Sequence, residues 1–297
     1  MAKKLKTNPM IDLDFNDLDA DSLDNEDELL NTPVATPISP ENEAVMDFSE
    51  FEDGITEINL ETENEMKVLV YGPNGTGKTY MTGTFPGPVL VLDINEKGTK
   101  SLIGTGAKKR EIQTFEMFQM AYWYLKSGKH PYKTVVLDNV TTLQEMAMRY
   151  VMGKEADIDI SKDMEMPTKR DWGGLSQVMK RWLIDFRNLP MNVVFIAQER
   201  RSSDDDLEND QVTVFPQVSA SVRAILGAAV DVIGNTYIRE IEDANGKVIV
   251  RYCMRVAANQ KYMAKCRVPR GAKCPIAIVN PSYQALKKIM NGEYGRE

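Results

Sequence analysis

From Met66 onward the apolar positions gather into short runs of strand length: KVLVYG (67–72), VLVLDI (89–94), TVVLDN (134–139) and NVVFIAQ (192–198). Such runs are nearly continuous, as expected of strands covered on both faces; a strand with one wet face would alternate. Between the last two the period changes. In WGGLSQVMKRWLIDFRNL (172–189), Leu175, Val178, Met179, Trp182, Leu183 and Phe186 recur every three or four residues and fall on one helix face. Aromatics at that spacing belong to a core rather than to a nucleic-acid stacking platform. Buried strands alternating with helices predict an α/β fold with a mainly parallel, twisted sheet, right-handed crossovers and helices on both faces.

The later chain has another style. TYIREIEDANGKVIVRYCMRV (236–256) places Asn245-Gly246 between two strand-like runs, the signature of a C-terminal β-hairpin with a type I′ turn. A helix over about 282–290, with Tyr283, Leu286 and Ile289 inward, closes the domain. No internal repeat is visible. At the other end, residues 1–65 read as an arm and linker. IDLDFNDLDADSLDNEDELL is acidic with scattered Leu and Phe, and TPVATPISPENE is a Pro-containing connector. Such a composition buries too little apolar surface to offset its ordering entropy. The domain expectation is therefore a disordered acidic arm over 1–65, one globular domain over 66–292, and a tail over 293–297. The arm is either a solubilising tail or a docking peptide for a protein partner, with Phe15 and Leu18 as anchors.

Charge sharpens this division. The net charge of −8 conceals 19 acidic residues against three lysines in 1–66, whereas 251–297 holds ten basic and two acidic residues. An acidic arm on a mildly basic domain suggests an anionic partner, or an arm that covers the basic face. A chain of 297 residues supports one sizeable core. No run of about 18 apolar residues is present, so no membrane span is expected. The basic start MAKKLK leads into acidic sequence where a signal peptide needs an apolar stretch. Cys253, Cys266 and Cys274 lack metal-ligand spacing and read as reduced thiols of a cytoplasmic protein. The single histidine, His130, reads as a surface residue and excludes multi-His metal sites.

The candidate chemistry begins at GPNGTGKT (72–79), which meets the spacing G-x-x-x-x-G-K-[ST] through Gly72, Gly77, Lys78 and Thr79. Its glycines let the backbone curl so that successive N–H groups, here from Gly72 and from Asn74, Gly75, Thr76 and Gly77 onward to Tyr80, surround phosphate oxygens at a helix N-terminus. (Pro73 contributes shape rather than a donor.) Lys78 is placed to reach the β- and γ-phosphates of ATP, and Thr79 to offer a hydroxyl to Mg²⁺. The loop follows an apolar strand and precedes a helix, the context that phosphate binding requires. A metal-facing carboxylate belongs at the end of another buried strand, where VVLDN offers Asp138. The bland alternative is that Asp138 caps the helix beginning near Thr141. No N-K-x-D guanine signature occurs, which argues against a GTPase. Asn139 follows Asp138, so a glutamate base beside it is missing.

In their order these features resemble the RecA-like ATPases, in particular a phage-encoded group of single-domain members implicated in single-strand annealing and recombination. The resemblance spans about 66–292 and rests on GPNGTGKT, DINEKG, VVLDN, the DWGG-plus-helix segment, NVVFIAQERR, FPQVSASVRAILGAAVDVIG and KYMAKCRVPRG. It implies a Mg²⁺-dependent ATPase working as a homo-oligomer. It makes Glu96, just past the second strand, the carboxylate that activates water; Asp93 is the alternative, and a solvated turn the bland reading of Glu96. Gln198 would end the strand after Asp138 and sense the γ-phosphate. Lys265 and Arg267, in K-C-R, would be fingers entering a neighbour's ATP site, with Lys261 in reserve; a basic edge strand is the plain reading.

Single-stranded DNA is the effector this resemblance implies, yet the residues lend it little. The loops expected to touch DNA, about 153–171 and 199–217, are acidic: the first carries six acidic and four basic residues. Phosphate contacts dominate nucleic-acid affinity, so these loops promise a weak grip, with Lys169, Arg170, Arg200 and Arg201 as local contacts. Otherwise binding rests on the surface of 251–297 or on a partner protein. A nucleotide-gated adaptor and a small-molecule kinase are the competing functions, the latter short of arginines for a lid.

Overall fold

Each of the four apolar runs becomes a strand, and each strand divides its side chains between two cores. The computed structural model describes residues 49–59, 64–156, 163–202, 214–242 and 246–295. The chain splits into two units, Met1–Glu57 and Ile58–Glu297. Of the first, the described part holds one short helix, α1 (Ser49–Asp53); residues 1–48, with Phe15 and Leu18, lie outside the described residues.

The second unit is built on a nine-stranded sheet. In chain order its elements are β1 (Lys67–Tyr71), α2 (Lys78–Thr82), β2 (Val89–Asp93), β3 (Lys108–Glu111), α3 (Phe115–Lys126), β4 (Thr134–Asp138), α4 (Val140–Ala156), α5 (Lys169–Arg187) and β5 (Asn192–Ala197). There follow a two-stranded ribbon, β6 (Glu199–Arg201) with β7 (Val214–Pro216), then α6 (Ala220–Ala229), β8 (Val232–Glu242), β9 (Val248–Arg255), β10 (Lys265–Cys266), β11 (Ala277–Val279) and α7 (Tyr283–Met290). The sheet order is β11-β9-β8-β1-β5-β4-β2-β3, with β10 also paired to β8. From β3 to β8 all pairings are parallel; β9, β10 and β11 are antiparallel. This is the expected α/β architecture, a mainly parallel sheet with helices on both faces and a C-terminal hairpin.

Alternation along β1 explains why the runs were continuous. Leu69 and Tyr71 enter a core with α3, α4, α5 and α6, while Val68 and Val70 enter a second core with α2 and α7. Both faces are dry, so every position is apolar. On the first side, Phe118 stacks on Phe186 with ring centroids 4.7 Å apart, and Trp182 meets Phe115, Phe118 and Tyr122. Trp182 and Phe186 of α5 are thus core residues, as their spacing indicated, whereas Trp172 in its first turn is exposed. On the second side Tyr283, Leu286 and Ile289 of α7 are buried as expected.

Helix α5 starts at Lys169, three residues before the apolar period begins. A capping box sets this start: the Asp171 carboxylate accepts from Thr168 N at 2.6 Å, and Thr168 Oγ1 accepts from Asp171 N. Lys169 and Arg170, read as loop residues, therefore occupy its first turn. Strand β3 (KKRE) has no apolar pattern because it is an exposed edge, where charge discourages pairing with other chains. The segment 199–217, read as one loop, is bounded by the β6–β7 ribbon; residues 203–213 and Asn245 of the expected hairpin turn lie outside the described residues. His130 is half-buried rather than a plain surface residue, its Nε2 2.8 Å from the carbonyl of Leu125 and its ring against Tyr132. Among the described residues no helix is long and apolar enough to cross a membrane. If the capping box fixes where α5 begins, Asp171→Ala should cost about 1–2 kcal/mol, measured as a lower urea midpoint at unchanged slope.

Candidate nucleotide site

Strand β1 ends at Tyr71, and the chain reverses through 72–77 into α2. Gly72 cannot carry a side chain: a Cβ there would lie 2.3 Å from Thr236 Oγ1 and 2.5 Å from the Thr236 carbonyl oxygen on β8. Gly77 enters α2 in the left-handed region at φ 84°, with the Tyr252 ring 3.4 Å from where a Cβ would stand. The Thr76 hydroxyl is spent inside the loop, on the Pro73 carbonyl and on Thr236 Oγ1, each at 2.7 Å. Lys78 is buried and donates to the carbonyls of Gly72 (2.8 Å) and Pro73 (2.9 Å). Burial lowers its pKa, against the raising influence of Asp138 and Glu96. Asn74, Gly75 and Tyr80 complete the loop's contribution to the cavity wall.

Thr79 donates its hydroxyl to Asp138 Oδ2 at 2.7 Å, joining α2 to the end of β4 across the intervening β5. Asp138 is pushed up to about 6, chiefly by burial; the Thr79 bond opposes this, and the charges of Glu96 and Asp93 add to it. The capping role belongs to Asn139 instead, whose Oδ1 accepts from Thr142 N at 2.9 Å in the first turn of α4. Asp138 is thereby left facing the cavity.

Glu96 and Asp93 are separated by their surroundings. The Glu96 carboxylate accepts from Asn139 Nδ2 and from Thr142 Oγ1 (3.1 Å), at the edge of the cavity that Lys78, Thr79 and Asp138 line. Asp93 is buried and takes the backbone N–H groups of Glu96 (3.1 Å) and Lys97 (2.9 Å) on Oδ1. It shapes the turn that carries Glu96 and does not line the cavity. Gln198, directly after β5, does line it, while its backbone N–H bonds Thr141 Oγ1 and its carbonyl accepts from Gln217 N. It stands between the cavity and the β6–β7 ribbon that bears Arg200 and Arg201.

The cavity, 870 Å³, has a wall the sequence reading missed: Tyr252 of β9 and the turn Asn280-Pro281-Ser282. The Asn280 N–H bonds the Tyr252 carbonyl at 2.7 Å, Ser282 caps α7, and Tyr283 N bonds Thr84 Oγ1 at 2.9 Å. The last of these contacts joins segments 199 residues apart, so only the Asn-Pro-Ser turn itself offered a signal.

Lys265 and Arg267 are not brought to this cavity. Lys265 pairs with Ile233 on β8, at the level of Leu69, and donates its Nζ to the Gly227 carbonyl at 2.5 Å. Arg267 donates to Asp231 Oδ1 and to the Ala228 carbonyl, each at 2.9 Å. Both stand at the opening ends of the strands, opposite the phosphate loop, and satisfy the last carbonyls of α6. Lys261, in the turn at 259–262, is also outside the cavity lining. A clash-based test separates loop geometry from charge: Gly72→Ala should distort the phosphate loop and lower nucleotide affinity at least tenfold with Lys78 intact. Isothermal titration with ATP measures it, beside Lys78→Ala, which should abolish binding.

Residues 64–268 match the family described as AAA domain. Compared with curated protein sequences, the chain has no significant match. Similar solved structures include a prototypical ATPase from the type III secretion system of pathogenic bacteria, 15% identical, covering 58% of this chain and 52% of that one, with TM-score 0.36. The chain thus spans about half the length of that structure. Flagellar accessory protein FlaH from Methanocaldococcus jannaschii is another, 12% identical, covering 72% and 84% with TM-score 0.32. A match that runs from just before β1 to just past β10, over the phosphate loop and Asp138 alike, settles the classification: the chain belongs to the AAA domain family, and it is a P-loop ATPase.

Proposed function

We propose that this ATPase is a Mg²⁺-dependent, oligomeric motor acting on single-stranded DNA in recombination or replication, as in the phage-encoded group it resembles. What supports hydrolysis over mere nucleotide gating is the Glu96 carboxylate, held by Asn139 and Thr142 at the edge of the cavity that contains Lys78, Thr79 and Asp138. A fixed carboxylate there takes a proton from the attacking water and orients it toward the γ-phosphate. Lys78 exchanges the Gly72 and Pro73 carbonyls for phosphate oxygens. Gln198 reports the γ-phosphate to the ribbon behind it. The Thr79 hydroxyl and the buried Asp138 carboxylate, hard oxygen donors side by side, fit a small divalent cation shared with phosphates. Bound there, Mg²⁺ neutralises phosphate charge.

The distribution of cations supports the homo-oligomeric reading. The described residues lining the cavity include Lys78 but no arginine. Lys265 and Arg267 are the family's candidates for a second positive charge, supplied to a neighbour's site in exchange for their bonds to α6. The DNA part of the proposal rests on the resemblance and on the basic late segment. The adaptor alternative predicts slow turnover whatever is added.

Glu96→Gln should keep ATP affinity within about threefold and lower turnover by about 10² or more; a variant that hydrolyses normally would remove Glu96 from the chemistry. Single-stranded DNA should raise wild-type turnover across a salt titration, with the assembly mass a multiple of the chain. Arg267→Ala should spare binding yet slow the assembled enzyme, with a thermal melt separating this from loss of the α6 cap. Unchanged turnover in the assembled variant would discard the finger assignment.

A further inference from the structure

Strand β8 pairs with β1 only over Val232–Asn235; beyond that it continues with β9 alone, to Glu242. The β8–β9 hairpin therefore projects past the strand ends, on the side of the phosphate loop. Its two faces differ in kind. The even-numbered face touches the nucleotide site, through Thr236 against Thr76 and Tyr252 against Gly77. On the odd-numbered face, Arg239 sits directly opposite Arg251 in the register.

Like charges directly opposed across a β-ladder oppose pairing. Neither guanidinium has an ion-pair partner among the described residues. Below them on the same face Arg255 lies between two rings, 3.7 Å from the Tyr237 centroid and 4.0 Å from that of Tyr262. The carboxylate at the foot of this face, Glu199, is already engaged by Asn235 Nδ2 and Arg201. Glu240 and Glu242 point to the even-numbered face by strand alternation. The odd face thus offers two guanidinium groups, Arg239 exposed and Arg251 half-buried, above a tyrosine–arginine–tyrosine stack.

We propose that this face of the hairpin is the contact surface for the phosphate backbone of single-stranded DNA, with Arg239 and Arg251 as the phosphate ligands and Tyr237 as the adjoining ring. Charge complementarity selects the occupant: the sequences connecting β6 to β7 and α4 to α5 are acidic and do not supply such a surface. The hairpin carries that contact on one face and the wall of the ATP cavity on the other. This inference rests on the reading of the chain as a DNA-stimulated ATPase.

The experiment is a fluorescence-anisotropy titration of the full chain with a labelled oligothymidylate over a range of salt. Wild type is compared with Arg239→Gln/Arg251→Gln. Each phosphate contact on a single strand contributes about 0.7 to the slope of log affinity against log salt. The double variant should therefore lose about 1.4 of that slope and bind at least tenfold more weakly at low salt, with DNA-free ATP turnover unchanged. Wild type binding with a slope that the double variant retains would overturn the hairpin assignment and leave the DNA reading standing. Wild type that binds no oligothymidylate at any salt would overturn both. Polyglutamate binding that requires the two arginines, with DNA binding indifferent to them, would assign the face to an acidic peptide and overturn the proposal.

Discussion

The hydrogen bond from Thr79 to the buried carboxylate of Asp138, 2.7 Å long, closes a gap that the topology opens. Because β5 lies between β1 and β4, their ends stand about 10 Å apart. Only a loop that leaves β1, curls, and returns as a helix can place a hydroxyl against the end of β4. The glycines of that loop, its contact with Thr236 and the burial of Lys78 all serve this one placement. Its electrostatic consequence is uneven. Asp138 feels the charges of Glu96 and Asp93 and the opposing charge of Lys78. One lysine against the two carboxylates that line the crevice, Glu96 and Asp138, leaves it short of positive charge, the imbalance that a divalent cation and a neighbour's basic residue would offset.

Much of this was legible because burial writes itself into sequence. Strands wet on neither face have to be apolar throughout, so β1, β2, β4 and β5 were visible within a residue or two. Helix α5 showed its apolar stripe, and GPNGTGKT its spacing. What was not legible lacked such a pressure. Strand β3 is an exposed edge made of charged residues, and the β6–β7 ribbon is three residues to a strand. Tyr252 and Asn280-Pro281-Ser282 became part of the site only when a distant segment folded onto the phosphate loop. The choice between Glu96 and Asp93 was equally closed to sequence. Both end the same strand, and three residues decide whether a carboxylate faces the cavity or takes the backbone N–H groups of its own turn.

Lys265 and Arg267 illustrate a different limit. Basic residues near the end of a helix satisfy its orphan carbonyls, and basic residues at a subunit boundary stabilise a transferring phosphoryl group. The residue types are the same in both roles. In this chain each side chain already has carbonyl partners on α6, so a trans role requires that those bonds be exchanged and not merely added. Assembly must then offer enough to compensate for leaving the α6 terminus unsatisfied. Stability would then report on the bonds to α6, and turnover on the proposed trans role.

The hairpin raises the same question of coupling at shorter range. In a strand, neighbouring residues point to opposite faces. Arg251 and Tyr252 are joined by one peptide bond, yet one faces away from the nucleotide cavity and the other forms its wall. Arg239 is likewise three residues from Thr236, whose hydroxyl bonds the phosphate loop. A displacement of the hairpin by anything held on its outer face therefore reaches Gly77 and Thr76 directly, through the ladder, without a relay of side chains. By the same path, ordering of the phosphate loop around a nucleotide would press on Thr236 and Tyr252, and so on the strands that set Arg239 opposite Arg251. A ligand on the outer face and a nucleotide in the cavity would therefore be linked through the period of the strand.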